Sequence, residues 1–333
     1  NTCYMNCTLQ CLMATETIQT YFLESAGHDS HTCKRRKSKS GVGCLACALD
    51  GLFLSTYSSS IGVNVSALLS PPSPPDPPPQ PRLLCGFPIV PDAVLTTGWT
   101  IPSMRLLRGY GQHDAHEYLQ ALLHALEKDV KCAPASQTNI VEAAFGGRFS
   151  SALRCKECGT EREQEETFIN VSVEVTGGEG QEQTTLAECL AKFTEPEPLS
   201  TMLRCETCSC NQVFSKQLKL KPRFPPHLVL HLKRFDAAKN KKISRPVLFP
   251  SSLDMSPYSV PAPPGEGEDE TMNYSLYAVV NHEGGLHQGH YTSHVKRDGK
   301  WYRCQDEKVY VVDEKAVLAE SSTAYVLFYS KQQ

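Results

Sequence analysis

Most of the side chains able to do chemistry in this chain are sulfurs. It carries 15 cysteines among 333 residues, and three Cys-x-x-Cys pairs stand out: Cys44/Cys47, Cys155/Cys158 and Cys205/Cys208. Each such pair presents two sulfurs from one tight turn, and two pairs together make a tetrahedral four-thiolate site for zinc. Cys155, Cys158, Cys205 and Cys208 are read as that site, with the intervening residues forming strands that the metal closes. Cys210 is a spare thiol beside it. A second set is His31-x-Cys33 followed by Cys44 and Cys47, three sulfurs and an imidazole around the basic tract KRRKSK at 34–39. Disulfides or free thiols are the alternative for the first set, and a cysteine-rich solvated loop for the second. Four protein ligands leave no open position, so both expected zinc ions are structural.

Another cysteine stands apart. Asn1-Thr2-Cys3-Tyr4-Met5-Asn6 puts a thiol where a helix begins. The unpaired N–H groups and dipole of a helix start favour a nearby anion, which is what a nucleophilic sulfur needs. It also needs a base, and the candidate is His290 in Gly289-His290-Tyr291, almost the whole chain away. Taken singly, an inert buried cysteine and a structural histidine are the commoner situations.

The elements that must position these residues fall into two textures. Residues 1–25 read as a helix start with Leu9, Leu12 and Ile18 on apolar spacing, and Gln112 to Val130 reads as the clearest helix. Ala115, Tyr118, Leu119, Leu122 and Leu126 form its apolar stripe, with Asp114 and Glu117 near its positive end. Beyond about residue 145 come short β-rich runs at 168–175, 227–232, 276–281, 308–312 and 324–329, separated by turn-like breaks. Helices first and strands afterwards make an α+β fold. The proline tract SPPSPPDPPPQPR at 70–82 and the acidic tract at 261–270 are insertions between elements.

Composition narrows the classes. Hydrophobic residues make up 40% and charged residues 21%, as in a soluble globular chain. A net charge of −3 gives no field suited to nucleic acid or an anionic membrane, and no apolar run reaches bilayer-spanning length. No signal peptide is visible, and the sequence opens inside a motif as an excised domain would. An His-Glu-x-x-His metallohydrolase motif is absent.

Taken in order, the motifs resemble those of the ubiquitin-specific proteases. Asn1-Thr2-Cys3-Tyr4-Met5-Asn6 with Leu9-Gln10 is similar to that family's cysteine box, and Gln112-His113-Asp114-Ala115-His116-Glu117 to its second box. His231-Leu232-Lys233-Arg234-Phe235 resembles a shared strand motif, and His287-Gln288-Gly289-His290-Tyr291 with Trp301-Tyr302 its histidine box. The resemblance covers essentially the whole chain.

It implies a papain-like arrangement: a helical thumb (1–140), zinc-tied β fingers (141–235) and a β-rich palm (236–333), with ubiquitin resting on the fingers. It implies a deubiquitinating isopeptidase, with Cys3 as nucleophile and His290 as base. Gln112, Asp114 and Glu117 match positions that contact ubiquitin's arginine-bearing tail, and helix-start charge is the alternative for the two acids. The family places an Asn or Asp four residues after the tryptophan to orient the histidine. Here Gln305 stands there and Asp306 follows; Asp306 is preferred for the role, with Gln305 as rival. The family's oxyanion asparagine lies five residues before the cysteine, upstream of Asn1. The His31 cluster resembles the extra zinc site of the histone-deubiquitinating member of the SAGA coactivator, which would imply coactivator subunits as partners, histone as a substrate and a nuclear rather than cytoplasmic site. The KRRKSK run is a nuclear-import or nucleosome-contact candidate as well as a solvated loop. The rival reading is a ubiquitin-binding pseudoenzyme.

Overall fold

A computed structural model describes residues 2–24, 28, 33, 41–61, 90–109, 111–130, 139–177, 182–222, 224–236, 240–261, 272–285 and 288–332. The expected proline loop at 70–82 and the KRRKSK tract lie outside these, as does most of the acidic tract. In chain order the helices are α1 (Cys3–Met13), α2 (Glu16–Leu23), α3 (Leu45–Ile61), α4 (Asp92–Thr100), α5 (Ala115–Val130), α6 (Ile140–Phe145), α7 (Leu186–Phe193) and α8 (Glu314–Leu318). The strands are β1 (Gly147–Cys155), β2 (Glu161–Phe168), β3 (Val171–Glu174), β4 (Thr184–Thr185), β5 (Glu197–Arg204), β6 (Asn211–Leu220), β7 (His227–Lys233) and β8 (Phe235–Asp236). They continue as β9 (Lys241–Lys242), β10 (Val247–Leu248), β11 (Ser252–Asp254), β12 (Asn273–Gly284), β13 (Gly289–Arg297), β14 (Lys300–Gln305), β15 (Lys308–Val312) and β16 (Ala324–Lys331). The fold is α+β.

Two compact units emerge, 1–141 with 278–317, and 142–277 with 318–333. In the first, α1 is buried on nearly every side, as a helix apolar over most of its circumference should be. Only Asn6 and Gln10 are half-exposed, and both make polar links. The single helix start expected over 1–25 is two helices, α1 and α2, with the chain turning at Ala14-Thr15 between them. The stripe read on α5 is buried throughout, at Ala115, Tyr118, Leu119, Leu122 and Leu126. That helix begins at Ala115, not Gln112, because Asp114 caps it: its Oδ1 accepts the N–H groups of His116 (2.7 Å) and Glu117 (3.0 Å). α1 packs on both α5 and β13.

Within this unit β13 pairs antiparallel with β12, and β14 with β13 and β15. The β13–β14 turn is Asp298-Gly299, both with positive φ (49° and 74°), the pair a tight two-residue hairpin calls for.

In the second unit, β2-β1-β6-β5 form a four-stranded antiparallel sheet whose outer strands are largely exposed. Its own core is small: Cys155, Cys205 and Phe214, with Leu153, Leu199 and Cys208 against them. The run expected as one strand over 168–175 is interrupted between β2 and β3, which belong to different sheets. β7 pairs with β16 and β3, and just past β7 the buried Arg234 collects four carbonyls. Its Nε donates to Ala324 O (2.6 Å), Nη1 to Ile243 O (3.1 Å) and Arg245 O (2.7 Å), and Nη2 to Ser321 O (2.8 Å).

Candidate active site

Cys3 is the first residue of α1, 6% exposed. Cys7 and Cys11 follow at helical four-residue spacing, and burial pushes both thiols well up from their ordinary value. Burial likewise raises Cys304, opposite Ser293 in the β13–β14 register, to about 11. Those three are apolar filling, held as neutral thiols. Cys3 differs in standing at the helix start.

His290 opens β13. Its Nε2 lies 3.9 Å from Asp306 Oδ2, with the side chains 36% and 42% exposed. Asp306 sits in the β14–β15 turn with φ +49°, a left-handed conformation that aspartate tolerates better than most residues. From that turn its Oδ1 accepts a hydrogen bond from Asn6 Nδ2 at 3.4 Å. Asn6 lies one helical turn after Cys3. The carboxylate therefore joins the imidazole to the helix that carries the thiol, and nothing in the sequence pattern had singled out Asn6 for this. Gln305 is half-buried at the end of β14, and among the described residues no hydrogen bond or ion pair involves its side chain.

Two features hold His290 in place. A side chain at Gly289 would put its Cβ 2.0 Å from His282 Nε2 and 2.6 Å from the Glu283 carbonyl oxygen, so glycine is required. Gln112 donates from Nε2 to Gly289 O (3.1 Å) and accepts from Gly289 N–H at Oε1 (3.3 Å). The adjoining Tyr291 is buried, its hydroxyl pKa raised by desolvation first and by the nearby Asp114 carboxylate second. Of the second-box residues, Gln112 thus engages β13, Asp114 caps α5, and Glu117 is exposed on the first turn of α5.

A sulfur at a helix start, with an imidazole and a carboxylate on the adjacent hairpins, can attack an acyl carbon, pass a proton to a leaving amine and stabilise the imidazolium formed between. Side chains of these types at these places are the kind that thiol-hydrolase chemistry requires.

Two further side-chain clusters could hold metal ions, each with all ligand atoms within 4.8 Å of one another: Cys155, Cys158, Cys205 and Cys208, and His28, Cys33, Cys44 and Cys47. The first agrees with the sequence reading. In the second, the imidazole is that of His28, where His31 was expected; His31 lies outside the described residues. His28 Nε2 is 3.1 Å from Cys47 Sγ and 3.5 Å from Cys44 Sγ. Two histidines precede Cys33 in the same basic stretch, and no local pattern separates them. Tetrahedral zinc with N and S ligands needs edges of roughly 3.5–3.8 Å. The Cys158–Cys205 separation of 3.5 Å and the His28 contacts are within a few tenths of that. Soft thiolate donors and edge lengths both suit such an ion.

Residues 1–329 match the family described as ubiquitin carboxyl-terminal hydrolase. The chain belongs to that family. It is similar to ubiquitin carboxyl-terminal hydrolase 22 of Homo sapiens, 31% identical over 375 aligned residues that take in 100% of this chain and 64% of that protein. It is also similar to ubiquitin carboxyl-terminal hydrolase 27 of Mus musculus, at 32% identity, covering 100% of this chain and 77% of the relative. Among solved structures, the SAGA Ubp8/Sgf11/Sus1/Sgf73 DUB module bound to ubiquitin aldehyde matches with TM-score 0.76 and 26% identity, covering 100% of this chain and 68% of that one. The chain thus spans less than two thirds of the length of the human relative. Among the described residues, no helix is long and apolar enough to cross a membrane.

Proposed function

We propose that this chain is a deubiquitinating thiol isopeptidase, hydrolysing the bond between the C-terminal glycine of ubiquitin and a substrate lysine. One observation carries the reading: Asp306 touches both His290 and Asn6, tying the imidazole to the first turn of the helix that begins at Cys3. Cys3 attacks the glycine carbonyl, and His290 takes the thiol proton and returns it to the departing lysine amine. Asp306 orients the ring and offsets its positive charge, a role favoured over Gln305 because Gln305 makes no comparable contact. Water then hydrolyses the thioester. Asp114 and Glu117 are proposed to receive the arginines of ubiquitin's tail, which carboxylates can accept bidentately.

The segments 1–140, 141–235 and 236–333 are assigned as thumb, fingers and palm. Zinc is assigned to both clusters as a structural ion that contributes folding free energy when bound. Cys155, Cys158, Cys205 and Cys208 would close the tips of the four-stranded sheet. His28, Cys33, Cys44 and Cys47 would anchor the start of α3. The likeness to the SAGA DUB module supports coactivator-type partner subunits and a nuclear location; histone among the substrates rests on the sequence resemblance alone.

A ubiquitin probe with an electrophilic C-terminus tests the reading. A covalent adduct that disappears in Cys3→Ala is expected. Tight ubiquitin binding with no adduct would make the chain a pseudoenzyme instead.

A further inference from the structure

We infer that Gln112 is a positioning residue for His290, its side-chain amide standing in for a missing strand at the start of β13; this rests on the proposed role of His290 as base. In the β12–β13 hairpin Gly285 N–H donates to the Gln288 carbonyl (2.8 Å), so the next pair, Gly284 and Gly289, occupies the non-hydrogen-bonded position. The N–H and C=O of Gly289 therefore point away from β12. On that far side β14 pairs only from Ser293 to Arg297. The residues ahead of Ser293, His290 among them, extend past the end of β14.

Gln112 fills that place with the groups a neighbouring peptide would offer. Its Oε1 accepts the Gly289 N–H at 3.3 Å and its Nε2 donates to the Gly289 carbonyl at 3.1 Å. Only this orientation of the amide satisfies both groups. One residue before the base, the backbone is then held on three sides: by β12, by the His282 ring against its Cα, and by Gln112. Gln112 stands two residues before Asp114 and five before Glu117, the acids assigned to the ubiquitin tail, so the same turn that would meet the tail also bonds Gly289, the residue next to His290.

A tail-contact role alone would raise KM for ubiquitin fused to a fluorogenic leaving group. A positioning role lowers kcat, because a displacement of about 1 Å at a reacting group costs up to about 10²-fold. Gln112→Met removes both bonds at nearly constant shape. Gln112→Glu keeps the acceptor for Gly289 N–H and loses the donor. The expected result is a kcat fall of about tenfold to a hundredfold for the Met variant, a smaller fall for the Glu variant, and KM within about threefold in both.

The second readout needs no ubiquitin: the pH profile of Cys3 alkylation by iodoacetamide, followed on the Cys3 peptide by mass spectrometry. The Gln112→Met profile should move toward that of His290→Ala. Unchanged kcat with raised KM, or an alkylation profile matching wild type, would overturn the inference. If wild type and His290→Ala give the same profile, the base assignment itself fails and this inference falls with it, an outcome distinct from failure of the clamp alone. Matched thermal unfolding of both variants and wild type ensures that a lost rate reflects geometry and not unfolding.

Discussion

Replacing Asp306 by Asn separates charge from geometry at the proposed site. Asn is the chosen substitution because residue 306 has φ +49°, a left-handed conformation that Asn adopts readily and Ala does not. What it removes is the attraction between a carboxylate and the imidazolium that forms once His290 takes the thiol proton. At the observed 3.9 Å, two unit charges interact by about 4 kcal/mol at an effective dielectric of about 20, and by about 1 kcal/mol in bulk water. Side-chain exposures of 36% and 42% place the pair nearer the lower limit. A stabilisation of about 1.5–2 kcal/mol corresponds to a loss of about 10- to 30-fold in kcat.

The partner variant is Gln305→Ala, which removes a side chain with no hydrogen bond or ion pair among the described residues, and for which a loss below about threefold is expected. Steady-state kinetics on ubiquitin carrying a fluorogenic leaving group, at two ionic strengths, provides the assay. The difference between wild type and Asp306→Asn should narrow at high salt as the charge is screened. A collapse of kcat in Gln305→Ala, with Asp306→Asn close to wild type, would reverse the assignment and refute the electrostatic reasoning.

Other consequences concern the scaffold. Arg234→Met strands four carbonyls that one buried guanidinium now serves; at about 1–3 kcal/mol for each left without a partner, a cost of at least about 3 kcal/mol is expected in urea unfolding followed by circular dichroism. A variant as stable as wild type would show the guanidinium dispensable. His28→Ala should lower the bound zinc, measured by elemental analysis, by about one ion per chain, while His31→Ala leaves it unchanged; the opposite pattern would restore His31 to the cluster. His227 is buried, which pushes its pKa down from 6.5 to about 4. The unfolded chain takes up that proton first as pH falls, so this contribution is complete above about pH 6.5 and is lost progressively toward pH 4, by about 3 kcal/mol in all. The slope of unfolding free energy against pH should flatten over that window in His227→Gln, and an unchanged slope would show that His227 does not carry it.

Much of the chemistry was legible in the residues alone, because it depends on what is close along the chain. Cys-x-x-Cys turns set two sulfurs side by side whatever surrounds them, and Cys155, Cys158, Cys205 and Cys208 do converge. The α5 stripe is a property of helical periodicity, and the runs at 227–232, 276–281, 308–312 and 324–329 lie within β7, β12, β15 and β16. The order of the motifs was sufficient to point to the family. Residues that choose among near-equivalent neighbours were another matter. His28 and His31 are three positions apart on the same basic stretch, and spacing to Cys33 does not separate them. Gln305 and Asp306 are adjacent, yet a left-handed turn sends the second toward His290 and Asn6.

Gln112 marks the division most sharply. The family resemblance implied a substrate contact for it; the fold adds a partner no sequence pattern announced, a glycine 177 positions away, reached only because β14 ends before the first residues of β13. Local sequence determined which side chains could act, since periodicity and turn chemistry operate over a few residues. Tertiary structure decided which of them meet, because the end of a strand and the sign of one φ angle depend on packing between distant segments.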